Sequence, residues 1–230
     1  MNLLIDADDT LWENNIYFER AFDAFCDFLD HATLKPPEVR EVLNEIELVN
    51  AKIHGYGAVN FGRNLQQAYR HLAERAIRAK DLEKDLEHVL SLAARILEQP
   101  VEMIEGVEET LAYLFERHEL TLFTKGHPEE QRLKIDRSGV GRFFRHTAIV
   151  KEKDASAYNA IVEQRGWVRA ETWMIGNSPK SDINPALEAG LSAVLVPHEH
   201  TWVLERQDLR VPEDGRFLMV ERFTDLQRHF

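Results

Sequence analysis

Three aspartates lie close together near the start of the chain, in the segment Asp6-Ala7-Asp8-Asp9-Thr10. They directly follow an apolar run, Leu3-Leu4-Ile5, that has the length of a β-strand. In a doubly wound sheet, ligands bind beyond the carboxyl ends of the strands. Two carboxylates at one such end repel each other unless a cation neutralises them, and Mg²⁺ suits oxygen ligands. One carboxylate could then attack phosphorus while the other transfers the leaving group's proton.

Short apolar runs alternate with helix-length segments along much of the chain. Continuous runs of this kind suit parallel strands that are covered by helices on both faces. Six runs have strand length: 3–6, 120–124, 147–150, 172–176, 193–197 and 217–220. Start and stop signals predict helices over 128–138, 155–164 and 182–189. The alternation predicts an α/β fold with a doubly wound, Rossmann-like parallel sheet.

Residues 14–99 contain no strand-like run. Apolar residues in this segment repeat at helical spacing in four sets, separated by short breaks at 35–37, 54–57 and near 80–81. The pattern predicts a small four-helix bundle that is inserted after the first strand. The predicted domains are therefore a core formed by 1–13 plus 100–230 and a helical insert formed by 14–99.

The composition excludes several classes of function. The 230 residues include 40 Asp and Glu against 28 Lys and Arg, which gives a formal net charge of −12. Such an acidic surface disfavours nucleic acid and anionic lipid as partners. The single cysteine, Cys26, cannot form an internal disulfide, which suits a reducing compartment. With no basic leader and no apolar run near about 18 residues, we expect a cytoplasmic protein that does not enter membranes.

The segment 4–11, Leu-Ile-Asp-Ala-Asp-Asp-Thr-Leu, resembles the first motif of the haloacid dehalogenase-like (HAD) superfamily. Its other motifs follow in order. The apolar run 120–126 with Thr124 resembles the second motif, Lys153 before a helix resembles the third, and 173–182 resembles the fourth. The predicted bundle occupies the place of that family's helical cap. The resemblance covers nearly the whole chain and implies a Mg²⁺-dependent phosphatase, the activity of most members.

The resemblance implies roles for the residues of the first two motifs. Asp6 would be the nucleophile that forms an aspartyl-phosphate, and Asp8 would protonate the leaving oxygen and then activate water. Thr10 would support this loop. Thr124 would bind a phosphoryl oxygen, helped by the backbone N–H groups of Lys125 and Gly126.

A lysine of the third motif would pair with the transferring phosphate and stabilise the charge on Asp6. Two lysines compete for this role, because the charged run 151–154 contains both Lys151 and Lys153. We prefer Lys153, which directly precedes the helix that Asp154 is expected to cap.

The fourth motif departs from the family pattern at one position. Asn177 stands where the family usually has an aspartate that binds Mg²⁺ directly, and Asp182 keeps the later acidic position. An amide oxygen can bind Mg²⁺ but carries no charge, so binding should be weaker. The expected metal ligands are Asp6, the Asp8 carbonyl, Asn177 and Asp182.

The cap is expected to supply specificity, since the sheet motifs recognise only a phosphoryl group. The glycine-containing turn with His54 and Tyr56, followed by Arg63, is a candidate for this role and equally suits a plain helix–helix turn. The segment His198-Glu199-His200 is expected to be a polar loop, because no third metal ligand accompanies the two histidines.

The predicted function is Mg²⁺-dependent hydrolysis of a small soluble phosphate monoester by a monomer or homodimer. Three alternatives stay open. A sugar-phosphate phosphomutase would use the same residues. A dehalogenase would lack the second aspartate, so Asp8 speaks against it. A weakly active or non-catalytic HAD-like binding protein is suggested only by Asn177.

Overall fold

The computed structural model describes residues 1–29, 34–75 and 81–230. The chain forms two compact units, each with its own packing. The core unit contains Met1–Asn15 and Val101–Phe230, and the helical unit contains Ile16–Pro100.

The core unit is built on a parallel sheet. Within the described residues, six strands pair in the order β3-β2-β1-β4-β5-β6, and every pair is parallel. The strands are β1 (Asn2–Ile5), β2 (Glu119–Lys125), β3 (His146–Val150), β4 (Thr172–Gly176), β5 (Ser192–Leu195) and β6 (Phe217–Met219). The predicted doubly wound, Rossmann-like sheet is confirmed. The strand order reverses direction at β1 and β4, which is where folds of this class bind ligands.

The described residues form eight α-helices, four in each unit. The helical unit holds α1 (Asn15–Phe28, whose first residue belongs to the core unit), α2 (Pro36–His54), α3 (Ala58–Arg75) and α4 (Leu82–Ala94). The core unit holds α5 (Val107–Phe115), α6 (Pro128–Ser138), α7 (Ala155–Arg165) and α8 (Asn184–Glu188).

Both faces of the sheet are covered, as continuous apolar strands require. Successive residues of β1 point to opposite faces, so Leu3 and Ile5 join one apolar cluster and Leu4 joins another. The first cluster includes Leu111 of α5 and Ile135 of α6, and the second includes Tyr158 of α7 and residues of α8.

The structure differs from the predicted helices at two places. The helix α5 was not predicted, although Val107, Leu111 and Leu114 carry a helical spacing and are fully buried. Where a helix over 182–189 was predicted, the chain forms a wide π-helical turn, Pro179–Ile183, and α8 begins only at Asn184.

The helical unit has an apolar core of its own. Fully buried side chains from its four helices meet there, including Phe25, Leu43, Leu65 and Val89. Among the described residues, no helix combines the length and apolar composition that crossing a membrane requires.

Candidate active site

The predicted site residues of the core unit lie at the carboxyl ends of four adjacent strands. Asp6 directly follows β1, Thr124 lies near the end of β2, and Lys153 follows β3. Asn177 directly follows β4, and Asp182 lies in the π-helical turn behind it. These five side chains come from distant parts of the sequence, and the order of the strands brings their elements together.

The Asp6 carboxylate is buried and faces two different neighbours. Its Oδ1 atom accepts a hydrogen bond from Lys153 Nζ, and its Oδ2 atom lies 3.1 Å from Thr10 Oγ1. Burial raises the pKa of the Asp6 carboxyl to about 7, although the charge of Lys153 opposes the rise and Asp182 adds to it. The predicted support by Thr10 is therefore a direct contact with the predicted nucleophile.

Lys153 is the lysine that reaches the site. Its side chain is only 1% exposed, and its Nζ atom contacts Asp6 and lies 2.7 Å from Asp182 Oδ1. Burial alone would lower the pKa of the ammonium, but the attraction of Asp182 and Asp6 outweighs burial and raises it. Lys151 is exposed. The helix α7 begins where predicted, because Asp154 accepts a hydrogen bond from the N–H of Ala157 at 2.8 Å.

Asp182 is held between the lysine and its own loop. While Oδ1 faces Lys153, Oδ2 accepts a hydrogen bond of 2.9 Å from the backbone N–H of Ser178. A Cβ atom on Gly176 would overlap this carboxylate, so glycine is required at the end of β4. Asp182 therefore fixes the position of Lys153 and closes the loop after β4.

The Asn177 side chain presents its oxygen toward Asp6. Its Nδ2 atom donates to Thr201 Oγ1 at 3.1 Å, and its Oδ1 atom lies 3.3 Å from Thr10 Oγ1. This orientation of the amide follows from its hydrogen-bond partners. Oδ1 of Asn177 and Oδ2 of Asp6 thus converge on the same hydroxyl group. These two oxygens, one of them from a buried carboxylate, are of the kind that Mg²⁺ prefers as ligands.

Asp8 is surrounded by hydrogen-bond donors. Trp12 Nε1 lies 2.8 Å from Oδ1, and Gln131 Nε2 lies 2.7 Å from Oδ2. Lys134 Nζ contacts both oxygens, at 2.5 Å and 2.7 Å. Sequence reasoning did not identify Gln131 or Lys134, because they lie more than a hundred residues beyond Asp8 and carry no motif of their own.

The residues of the second motif lie at the end of β2. Thr124 is buried there. The backbone N–H of Gly126 donates to the carbonyl of Val150 at 3.1 Å, so it would have to leave this partner to bind a phosphoryl oxygen. The phosphate-binding roles of Thr124 and of the N–H groups of Lys125 and Gly126 stay predictions.

Lys125 belongs to a buried polar network that sequence reasoning also missed. Its Nζ atom lies 2.6 Å from Glu205 Oε1 and 2.8 Å from Ser181 Oγ. Glu205 Oε2 accepts from Ser178 Oγ at 2.7 Å and from Ser181 Oγ at 2.5 Å. Burial alone would raise the pKa of Glu205, but the charge of Lys125 and these hydrogen bonds hold it below its usual value.

A second group of possible metal ligands lies beside the first motif. One ligand atom from each of Asp9, Glu13 and His198 lies within 4.8 Å of the other two. His198 therefore has two carboxylates, Asp9 and Glu13, as possible co-ligands, and the sequence had not indicated them. The N–H of His200 donates to His198 Nδ1 at 3.3 Å, which assigns the ring proton to Nε2, 3.3 Å from Glu13 Oε1. This hydrogen bond satisfies the imidazole without a metal.

Asp9 also starts the first helix. Its backbone has a positive φ of 58°, and its Oδ1 atom accepts from the N–H groups of Asn14 and Asn15 at 2.9 Å and 3.0 Å. Burial raises the pKa of the Asp9 carboxyl to about 6, against the effect of these hydrogen bonds. The Asp9 side chain thus satisfies two backbone N–H groups at the start of α1.

The three predicted specificity residues belong to the helical unit. His54 ends α2, and its carbonyl accepts from Asn60 Nδ2 at 2.6 Å. Tyr56 lies in the turn before α3, and Arg63 NH1 donates to Asn60 Oδ1 at 3.2 Å within that helix. Their role in substrate recognition stays a prediction.

Solved structures show the same fold. The chain matches a haloacid dehalogenase-like family hydrolase from Xanthomonas campestris at 26% identity and a TM-score of 0.82, over 100% of this chain and 93% of that one. It matches YfnB from Bacillus subtilis, solved with bound magnesium, at 16% identity and a TM-score of 0.65, over 99% and 97%. It matches L-2-haloacid dehalogenase from Xanthobacter autotrophicus at 15% identity and a TM-score of 0.65, over 99% and 96%.

Sequence comparison decides the family. No curated protein sequence matches the chain significantly. A family model described as haloacid dehalogenase-like hydrolase matches residues 2–190, which include every motif of the site. With its parallel sheet and the order of its strands, the chain therefore belongs to the haloacid dehalogenase-like hydrolases.

Proposed function

We propose that this hydrolase is a Mg²⁺-dependent phosphatase that acts on a small soluble phosphate monoester. The observation that carries the proposal is the environment of Asp6: a buried carboxylate with the Lys153 ammonium on Oδ1, while Oδ2 and the Asn177 Oδ1 atom both lie within 3.3 Å of the Thr10 hydroxyl. A second carboxylate, Asp8, follows two residues later. Nucleophile, cation and second carboxylate are the groups that phosphoryl transfer requires.

The first half of the proposed reaction transfers the phosphoryl group to Asp6. An Asp6 carboxylate oxygen forms a bond to phosphorus while the bond between phosphorus and the ester oxygen breaks. Asp8 gives its proton to the departing oxygen, which leaves as an alcohol. Lys153 stabilises the negative charge that the phosphoryl oxygens share with Asp6.

The second half releases phosphate and restores the enzyme. Asp8, now a carboxylate, takes a proton from water as the water oxygen attacks phosphorus. The bond between phosphorus and Asp6 breaks, and Asp6 returns to its carboxylate form. Thr124 is the proposed partner of a phosphoryl oxygen in both halves, because it lies buried at the adjacent strand end.

Asp6, the Asp8 carbonyl and Asn177 would hold the metal. When bound, Mg²⁺ would neutralise charge on the phosphoryl oxygens and so reduce their repulsion from Asp6. Asp182 has both oxygens engaged by Lys153 and the Ser178 N–H, so its proposed contribution is to hold the lysine and the loop that carries Asn177.

We further propose that the helical unit acts as a cap with substrate-recognising residues at His54, Tyr56 and Arg63. Such a cap favours small soluble substrates over nucleic acid, protein or membrane lipid. Each of the three residues can be tested by its effect on KM for different esters, with kcat on a generic aryl phosphate as the reference.

A dehalogenase is the principal alternative, because several structural neighbours have that activity in their names. The two reactions differ at the second step. Water attacks phosphorus in a phosphatase, but it attacks the Asp6 carboxyl carbon in an ester formed by halide displacement. Heavy-oxygen water in a single turnover therefore labels inorganic phosphate in the first case and the Asp6 carboxylate in the second.

The deciding experiment compares phosphate and halide release. We expect the wild-type protein with millimolar Mg²⁺ to release phosphate from at least one ester in a broad panel and no halide from 2-haloacids. Conversion of sugar phosphates without phosphate release would identify a phosphomutase. Halide release, or inactivity toward every ester, would contradict the proposed function.

A further inference from the structure

The Asp8 carboxylate is held by donors from two separate elements. Trp12 belongs to the same loop, whereas Gln131 and Lys134 project from α6. These two residues are three positions apart, so they lie on the same face of the helix. Gln131 is only 3% exposed, and the Lys134 side chain is 20% exposed. Lys134 Nζ also lies 3.0 Å from Asn14 Oδ1, which fixes the ammonium between the loop and the helix.

Gly126 makes room for this arrangement. Its φ of +146° lies in the region that favours glycine, and a Cβ atom there would lie 2.7 Å from Gln131 Nε2. The same Nε2 atom donates to the carbonyl of Lys125 at 2.9 Å. The absence of a side chain at Gly126 therefore leaves space for the Gln131 amide, which bridges the Lys125 carbonyl and Asp8.

The position of Asp8 matters because proton transfer works only within hydrogen-bond reach of the departing oxygen. An aspartate side chain in a loop can rotate about two bonds and leave that position. Contacts on both oxygens oppose this rotation, and the contacts on one oxygen keep the carboxyl group in place while the other oxygen carries the proton. Departing groups that form unstable anions need the proton most, whereas activated aryl groups leave without it.

We propose that Lys134 and Gln131 are positioning residues for Asp8 and thereby determine which leaving groups the enzyme expels. This inference rests on the proposed phosphatase function. It assigns neither residue a contact with the phosphoryl group. It predicts that their loss impairs the expulsion of poor leaving groups and spares the attack by Asp6.

The test measures kcat and KM for an alkyl phosphate and for 2,4-dinitrophenyl phosphate with the full-length chain and Mg²⁺. In Lys134→Met, kcat for the alkyl ester should fall about 100-fold, within the 10²–10⁴ range that positioned proton transfer contributes. The dinitrophenyl ester should be affected far less. Lys134→Arg keeps the charge and the donors and should recover most of the alkyl activity.

Two further variants complete the design. Gln131→Met removes the second donor with little change in volume and should show the same dependence of kcat on the leaving group. This variant keeps the inference testable if Lys134→Met does not fold. Arg132→Met removes one positive charge from an exposed position of the same helix and should leave both esters unchanged.

The outcomes separate this inference from the function on which it rests. If the wild type is active and the Lys134 and Gln131 variants lower kcat equally for both esters, or for neither, the positioning role alone is overturned. A wild type that hydrolyses no ester overturns the proposed function and this inference with it.

Discussion

Lys125 Nζ and Glu205 Oε1 lie 2.6 Å apart, in an ion pair that connects the end of β2 to a loop beyond β5. Both side chains are largely buried, and Glu205 also receives the hydroxyl groups of Ser178 and Ser181. Ser178 directly precedes the π-helical turn Pro179–Ile183, and Ser181 lies within it. The pair therefore anchors the loop that carries the proposed metal ligand.

Replacing Glu205 by glutamine should destabilise the fold by about 3 kcal/mol, because Lys125 loses its buried counter-charge. Folding lowers the pKa of Glu205, so its ionised form contributes stability above the ordinary glutamate pKa, about 4.3, and this contribution disappears as pH falls through the lower folded value. Urea unfolding at neutral and acid pH measures the difference between wild type and Glu205→Gln. The difference should shrink on acidification.

The exposed Glu199 provides a matched control for this change. Glu199→Gln should leave the free energy of unfolding unchanged at both pH values. An equal effect of the two substitutions would show that the Lys125–Glu205 pair does not stabilise the loop.

Lys153→Met should lower kcat by at least about 100-fold, since the charge that stabilises the transition state is removed. It should also cost about 3–5 kcal/mol of stability, because Asp6 and Asp182 then lie buried without their cation. Thermal unfolding and aryl phosphate hydrolysis measure the two effects. Lys151→Met, at the exposed neighbour, should change neither quantity, and the opposite result would assign the role to Lys151.

Gly176→Ala should disturb the site, because the added methyl group overlaps the Asp182 carboxylate. We expect a stability loss of about 1–3 kcal/mol, as for other overpacked positions, together with a lower kcat. Gly141→Ala is the control: its Cβ would lie 3.5 Å from Ile135 Cγ2, an ordinary contact. Calorimetry measures both variants, and an equal loss of stability in the two would contradict the predicted clash with Asp182.

Asn177→Asp should strengthen Mg²⁺ binding, because a charged ligand replaces a neutral one. Without the metal, the new carboxylate would repel the nearby Asp6, so the melting temperature should fall. With Mg²⁺, it should rise more than in wild type. An unchanged metal dependence of both stability and activity would show that position 177 is not a ligand.

The sheet was predictable because its strands include short continuous apolar runs that alternate with helix-length segments, a pattern typical of parallel strands covered by helices. The run at 193–197 was predicted too long at its end, since β5 stops at Leu195. The missed helix α5 did carry a signal: Gly106 is followed by two glutamates in the first turn and by apolar residues at helical spacing.

Asp6 and Asp8 could be named because they follow a strand end, and the residues of the third and fourth motifs could be named because they resemble the motifs of a known family. Their partners could not. The contact of Asp8 with Lys134 depends on which helix covers β2, and the contact of Lys125 with Glu205 depends on the path of a loop far along the chain. Such contacts are set by tertiary packing, and single-sequence periodicity contains no information about them.

The central claim is that Asp6 accepts the phosphoryl group. The most direct test quenches the enzyme in acid during turnover of an aryl phosphate with Mg²⁺ and locates covalent phosphate by peptide mass spectrometry. We expect phosphate on the peptide that contains Asp6 in wild type and none in Asp6→Asn, which should also be inactive. Turnover by wild type with phosphate on another residue, or full activity of Asp6→Asn, would contradict it.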